Sequence, residues 1–284
     1  MTTTVWVDGR FVGEDEPALV ALDHGLTVGD GVFETLGVVD GVGFALTRHL
    51  ARLARSAAGL GLATPDETLI RRAVAEVLAH AGDTAQRLRI TVTGGVGPLG
   101  SGRTEGRQTV VVAASPGGHG PTSKVVRAPW VRNERSAVAG LKTTSYAENV
   151  VALAYAKERG ADEAILANTV GELCEGTGAN VFVERGGELV TPPLSSGCLA
   201  GITRALTLEW GAEVGLPVRE AAPGELTFDV LDEVERGEAH LLVTGSVRNL
   251  TPVVELDGAP VEPGRLSQRL AQLFAARQRD LVDP

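Results

Sequence analysis

The sequence predicts an α+β protein in two parts, and three observations carry that reading. Apolar residues recur at helical spacing in some segments, as at Leu50, Leu53, Ala54, Ala57 and Leu60, and as β-branched runs in others, as in Thr109-Val110-Val111-Val112-Ala113. The stretch Ser115-Pro116-Gly117-Gly118-His119-Gly120-Pro121 stacks turn formers and has no apolar periodicity, which marks a linker. With 284 residues and 43% hydrophobic content, the chain can bury one large core or two smaller ones.

The first part spans residues 1–116. Val5-Trp6-Val7 followed by Gly9-Arg10-Phe11-Val12 reads as a hairpin, the Leu50 to Leu60 stripe as a helix, and Glu67 to Ala79 as another. Strands follow at Arg87 to Thr93 and Thr109 to Ala113, separated by a glycine-rich loop from Gly94 to Gly106. Residues 117–121 form the linker, and the second part spans 122–284. It is expected to hold a helix from about Ala147 to Arg159 and strands at Glu163 to Leu166, Asn180 to Val183 and His240 to Thr244. A helix opens at Gly201-Ile202-Thr203, and another, Leu266 to Arg279, closes the chain.

Composition narrows the function. A formal net charge of -10 disfavours sequence-independent nucleic-acid binding, which depends on neutralising phosphates with Lys and Arg. No apolar run reaches membrane-spanning length, and Met1-Thr2-Thr3-Thr4-Val5-Trp6 lacks the basic start of a secretory signal, so a cytoplasmic protein is expected. Cys174 and Cys198 are too few for a disulfide framework, and the five histidines lack metal-ligand spacing, so reduced thiols and no metal site are expected.

Three segments carry chemistry. Lys142 opens Lys142-Thr143-Thr144-Ser145-Tyr146-Ala147-Glu148-Asn149 and supplies a primary amine; Glu175, in Glu175-Gly176-Thr177-Gly178-Ala179-Asn180, supplies a carboxylate among small residues. Leu199-Ala200-Gly201-Ile202-Thr203-Arg204 looks like a helix N-terminus, whose exposed amides and dipole suit a phosphate. Amine, carboxylate and such a turn are what a pyridine aldehyde carrying a phosphate needs.

With these motifs the chain resembles the class IV aminotransferases, the fold-type IV pyridoxal-phosphate enzymes. The likeness runs from Asp23-His24-Gly25-Leu26-Thr27-Val28-Gly29-Asp30-Gly31-Val32-Phe33-Glu34-Thr35 to Thr244-Gly245-Ser246-Val247-Arg248-Asn249-Leu250-Thr251-Pro252-Val253. It implies two mixed α/β domains with pyridoxal 5'-phosphate at their interface, a homodimer, and small amino and keto acids as substrates. By the same resemblance Lys142 binds the cofactor covalently and moves the substrate proton, and Glu175 partners the pyridine nitrogen. Arg52, Ile202, Thr203 and Ser246 hold the phosphate, Leu199 lies against the ring, and Asn180 orders the Glu175 loop.

Substrate contacts are where branches of the family differ. Lys142 is followed at the eighteenth residue by Gly160, which resembles the D-amino-acid aminotransferase and aminodeoxychorismate lyase branches. Branched-chain L-amino-acid enzymes carry one more residue and a tyrosine five positions after the lysine, where Ala147 stands here. The D-amino-acid branch's usual tyrosine is Phe33, and its carboxylate-trapping arginine and histidine are replaced by Leu99 and Ser101. Arg103 and Arg248 are the replacement candidates for the substrate carboxylate, with Phe33 and Val247 beside them. The resemblance therefore implies a transaminase acting on D-amino acids, extending to (R)-amines. The alternative is the lyase that forms 4-aminobenzoate and pyruvate, and a branched-chain L-amino-acid transaminase stands third.

Overall fold

The N-terminal hairpin forms as its alternation predicts: β1 (Thr4–Val7) pairs antiparallel with β2 (Arg10–Val12), Trp6 opposite Phe11. Its turn places Asp8 at φ 48° and Gly9 at φ 108°, and glycine takes the second position at no steric cost. The computed structural model describes residues 3–104 and 106–284.

The chain divides into two compact units. The first runs up to Gly118 and includes Leu141–Tyr146 and Gln278–Pro284. After the hairpin come α1 (His24–Thr27), β3 (Gly31–Val39), β4 (Val42–Gly43), α2 (Leu46–Leu60), α3 (Glu67–Ala81), β5 (Arg87–Thr93) and β6 (Thr109–Ser115). Among the described residues its sheet runs β2-β1-β6-β5-β3-β4. Leu88, Ile90 and Val92 of β5 and Val110 and Val112 of β6 alternate into a core closed by Leu50 and Leu53 of α2 and Ile70, Val74 and Val77 of α3. The Asp66 carboxylate accepts from the Leu69 amide and caps α3, and Gly61 at φ 75° ends α2.

The nine-residue β3 is absent from the sequence reading, because Gly31, Glu34 and Gly37 interrupt its apolar alternation. Its backbone also decides where Lys142 belongs. The Phe33 amide donates to the Lys142 carbonyl (3.1 Å) and the Thr144 amide to the Gly31 carbonyl (2.8 Å). Residues 141–146 thus pack in the first unit, although they follow the linker in sequence.

The second unit comprises His119–Gly140 and Ala147–Arg277. In order it contains β7 (Ser123–Arg132), α4 (Ala147–Glu158), β8 (Glu163–Asn168), β9 (Leu173–Gly176), β10 (Asn180–Arg185), β11 (Glu188–Thr191) and α5 (Ile202–Glu213). Then follow β12 (Val218–Glu220), α6 (Val230–Glu235), β13 (His240–Gly245), β14 (Asn249–Leu256), β15 (Ala259–Pro260) and α7 (Arg265–Asp280). The sheet order is β12-β11-β10-β13-β14-β7-β8-β9, with β15 paired to β14. β8 and β10 are buried on both faces, and Val125, Ile165, Val181, Val183, Leu241 and Val243 form much of one core. β7 also escaped the sequence reading: its polar residues hide the pattern, and its register with β8 shifts between Arg127 and Val131, around Pro129, which has no amide to donate.

Candidate active site

In the first unit the site is built on one face of the β3–β5 pair. Phe33 lies opposite Thr91 and Thr35 opposite Arg89, so these side chains share a face. Phe33 is 3% exposed and serves as the floor for two cations. The Arg89 guanidinium carbon stands 3.8 Å from its ring centre and Lys142 Nζ 4.4 Å. Tyr146 meets Phe33 edge-on, with ring centres 5.2 Å apart. The Lys142 amide donates to Ser56 Oγ on α2 (3.1 Å), which fixes the lysine backbone from a second side.

The opposite face of β3 holds a buried charge cluster. Glu34, fully buried, accepts from Arg52 Nε (2.8 Å) and Nη2 (2.6 Å), and its Oε2 lies 2.6 Å from His49 Nδ1. His49 and Arg52 are one turn apart on α2, so a single carboxylate aims both. Burial would raise the Glu34 pKa, but the Arg52 charge and hydrogen bonds, with His49 behind them, outweigh it and hold the group at about 2. Burial lowers the His49 pKa, with Glu34 opposing.

Two expected substrate arginines are otherwise engaged. Arg103 Nε donates to Asp30 (2.7 Å), and its Nη groups reach the Leu60 and Gly61 carbonyls at 2.7 and 3.1 Å, tying the glycine-rich loop to the end of α2. Arg248 sits 3.0 Å from buried Glu163 and donates to Ser123 Oγ at 3.2 Å. Both guanidiniums are thus paired with protein carboxylates, and a loop arginine in sequence cannot be told from one folded onto a carboxylate. Leu99 is 79% exposed, and Ser101 is exposed beside it. Arg89, which the sequence reading did not single out, alternates with buried residues of a strand, Arg87-Leu88-Arg89-Ile90. Desolvation lowers its pKa, with Tyr146 partly offsetting.

In the second unit Glu175 is the penultimate residue of β9 and is 8% exposed. Its Oε2 accepts from the Leu199 amide (2.9 Å), and Oε1 lies 3.5 Å from Arg132 Nε, an arginine the sequence reading did not single out. Asn180 Nδ2 donates to the Leu199 carbonyl (2.8 Å), so Asn180 orders the Leu199 turn. The next residue but one, Gly201, precedes α5 without a side-chain cap, and a Cβ there would fall 1.8 Å from Asn180 Oδ1, which demands glycine. Ile202 and Thr203 begin the helix, both buried. Ser246, Val247 and Arg248 form the loop between β13 and β14, closed by Gly245 opposite Asn249 in a left-handed conformation (φ 56°). Burial pushes the Cys174 and Cys198 thiols up, the latter to about 11, so neither is a reactive thiolate.

Each unit carries groups that fit a pyridoxal phosphate: the first an amine over aromatic rings, the second a buried carboxylate fixed by an amide and an arginine, and an uncapped helix start. Residues 31–256 match the family model for amino-transferase class IV. A putative branched-chain-amino-acid aminotransferase of Methanocaldococcus jannaschii is 34% identical over 280 residues, covering 95% of this chain and 94% of the relative. A D-alanine aminotransferase of Staphylococcus haemolyticus is 30% identical, covering 95% of each. The solved fold IV-transaminase of Curtobacterium pusillum superposes with a TM-score of 0.79 at 32% identity, over 96% of this chain and 98% of that one. The chain belongs to the class IV aminotransferases, and is a pyridoxal-phosphate-dependent aminotransferase with their mixed helix and strand fold.

Proposed function

We propose that this enzyme transfers the amino group of a D-amino acid to an α-keto acid, with Arg89 gripping the substrate carboxylate. The observation that carries the carboxylate assignment is the shared floor: Arg89 and Lys142 both stand over the Phe33 ring, and Arg89 has no carboxylate partner among the described ion pairs. A substrate whose amine meets Lys142 would present its carboxylate to the neighbouring guanidinium. The D preference is supported by the Lys142 to Gly160 spacing, by Ala147 at the fifth position after the lysine, and by likeness to D-alanine aminotransferases. Tyr146, one place earlier, is committed to Phe33.

When bound, the cofactor would supply an aldehyde for the amine and a protonated ring that withdraws electrons from the substrate carbon. Lys142, Arg52, Glu175, Asn180, Leu199, Ile202, Thr203 and Ser246 would hold it. Lys142 Nζ would take the substrate Cα proton and return it during transfer, with Phe33 and Tyr146 keeping water from the amine. Glu175, with Arg132 beside it and the Leu199 amide on its other oxygen, would keep a proton on the ring nitrogen. Glu34 orients Arg52 toward its task as a phosphate ligand.

Arg89→Ala should raise KM for amino acids by roughly 10- to 100-fold, the worth of a charge-assisted hydrogen-bonded contact, and leave (R)-amines lacking a carboxylate within a few-fold. Arg103→Ala and Arg248→Ala should lower melting temperature without changing the amino-acid to amine ratio. Equal losses on both substrate types in Arg89→Ala would contradict the assignment. A second reading, transamination of branched-chain L-amino acids, is favoured by the name of the 34% identical relative. Comparing kcat/KM for D-alanine and L-leucine separates the two.

A homodimer in the cytoplasm completes the proposal. Val150 and Val151 of α4 are 62% and 53% exposed, an apolar surface suited to a second copy, and both cysteines are unbonded, as in a reducing compartment. Light scattering should give twice the 29.5 kDa chain mass.

A further inference from the structure

Glu163, at the start of β8, is 1% exposed and is not among the residues assigned to the cofactor. Its Oε1 accepts from the Thr177 amide (2.7 Å), from Thr177 Oγ1, and from the amide of Ala164 (3.2 Å). Its Oε2 accepts from Arg248 Nη2 (3.0 Å) and, at a longer 3.4 Å, from the Gly178 amide. One carboxylate therefore ties two turns: the Gly176 to Ala179 turn, closed by the Gly176 amide on the Ala179 carbonyl (2.7 Å), and the Ser246 to Arg248 loop. The first leads from Glu175 to Asn180, and the second carries Ser246 and Val247.

The two turns also meet directly. A Cβ on Gly245 would lie 3.4 Å from the Gly178 carbonyl and 3.3 Å from the Arg248 side chain, and a Cβ on Gly176 would fall 2.8 Å from Glu163 Cγ. Glycine at 176 is what lets the carboxylate come under the turn. Asn149 Nδ2 donates to the Thr177 carbonyl from the other side, so both backbone groups of Thr177 are fixed.

We propose that Glu163 is a positioning residue for cofactor binding, setting the Glu175 turn and the Ser246 loop relative to each other through Thr177, Gly178 and Arg248. The inference rests on the reading that Glu175 and Ser246 touch the cofactor. Removing the carboxylate leaves the Thr177 and Gly178 amides and Arg248 competing for fewer acceptors, so both turns lose their common reference.

Glu163→Gln preserves shape but presents an amide donor to the donors around it. The apoenzyme of this variant should bind pyridoxal phosphate about 10-fold more weakly or worse, measured by fluorescence titration. The loss should be less than additive with Ser246→Ala, because the two act through one loop. A role in fold stability alone would lower the apoenzyme melting temperature and leave the dissociation constant within twofold of wild type; that result, or full additivity, overturns the proposal. Thr177→Val, which deletes one hydroxyl contact and keeps the volume, carries the test where Glu163→Gln yields no folded protein. A several-fold weaker cofactor complex at unchanged apoenzyme melting supports the proposal, and unchanged affinity overturns it. Single Ser246→Ala and Glu175→Gln variants that bind the cofactor as wild type does would instead remove the underlying reading of the site.

Discussion

Lys142→Ala is expected to abolish turnover, by about 10³-fold or more, and to remove the visible absorption band of the lysine-bound cofactor. The side chain is asked to be both the covalent anchor and the base that moves the Cα proton, and among the described residues no other amine stands over the Phe33 ring to replace it. Arg89, the other cation there, stays protonated at neutral pH and cannot accept a proton. The fold should survive, because the bonds that place the segment use its backbone and not the lysine side chain: Lys142 amide to Ser56 Oγ, Phe33 amide to Lys142 carbonyl, Thr144 amide to Gly31 carbonyl. The melting temperature should therefore stay near wild type while activity disappears. Wild-type turnover in this variant, checked by steady-state kinetics, would remove the central assignment.

The second large effect is on stability. Glu34→Ala strips the partner from Arg52 and His49 inside the first unit's core, and breaking a buried pair from one side costs about 3–5 kcal/mol because a buried charge is left uncompensated. Denaturant unfolding should show that loss, together with weaker cofactor binding as Arg52 loses its aim. A loss below about 1 kcal/mol would mean that water reaches the cluster and compensates Arg52. Acid should reveal the same cluster in the wild type. The folded His49 resists protonation, so stability begins to fall as pH drops below 6.5, where the unfolded chain takes up a proton that the folded one refuses. Glu34 is held at about 2 against an ordinary 4.5, so its contribution is full above 4.5 and is lost as pH falls from there through about 2. Glu34→Gln should flatten the lower part of that profile, and an unaltered acid limb would place the acid sensitivity elsewhere.

Much of the fold was legible because the periodic segments were strong. The hairpin at Val5 to Val12, the two helices that close the first core, and strands β5, β6, β8, β10 and β13 all lie where alternation or helical spacing puts them. The two longest strands that the sequence reading missed, β3 and β7, have polar or bent interiors, and β14 and the short β4, β9, β11, β12 and β15 went unread as well. β3 carries Glu34 into the core, and nothing local says that a glutamate between Phe33 and Thr35 is buried; only the partners Arg52 and His49, eighteen and fifteen residues away, make burial affordable. The residues proposed for the site show the same division. Lys142, Glu175 and the Gly201 helix start were visible as motifs, since each depends on residue type at short spacing. Arg103, Arg248 and Arg89 were not separable in sequence, because what distinguishes them is whether Asp30, Glu163 or an aromatic ring lies beside the guanidinium.

The most direct test is the absorption spectrum of the purified, cofactor-loaded enzyme on addition of D-alanine alone, then of L-leucine alone, without a keto-acid acceptor. D-alanine should convert the visible band to that of the amine form and release about one equivalent of pyruvate per site, far faster than L-leucine changes the spectrum. Conversion by L-leucine but not D-alanine would contradict the D-amino-acid assignment, and an unchanged band with both, while aminodeoxychorismate releases pyruvate, would contradict transamination itself.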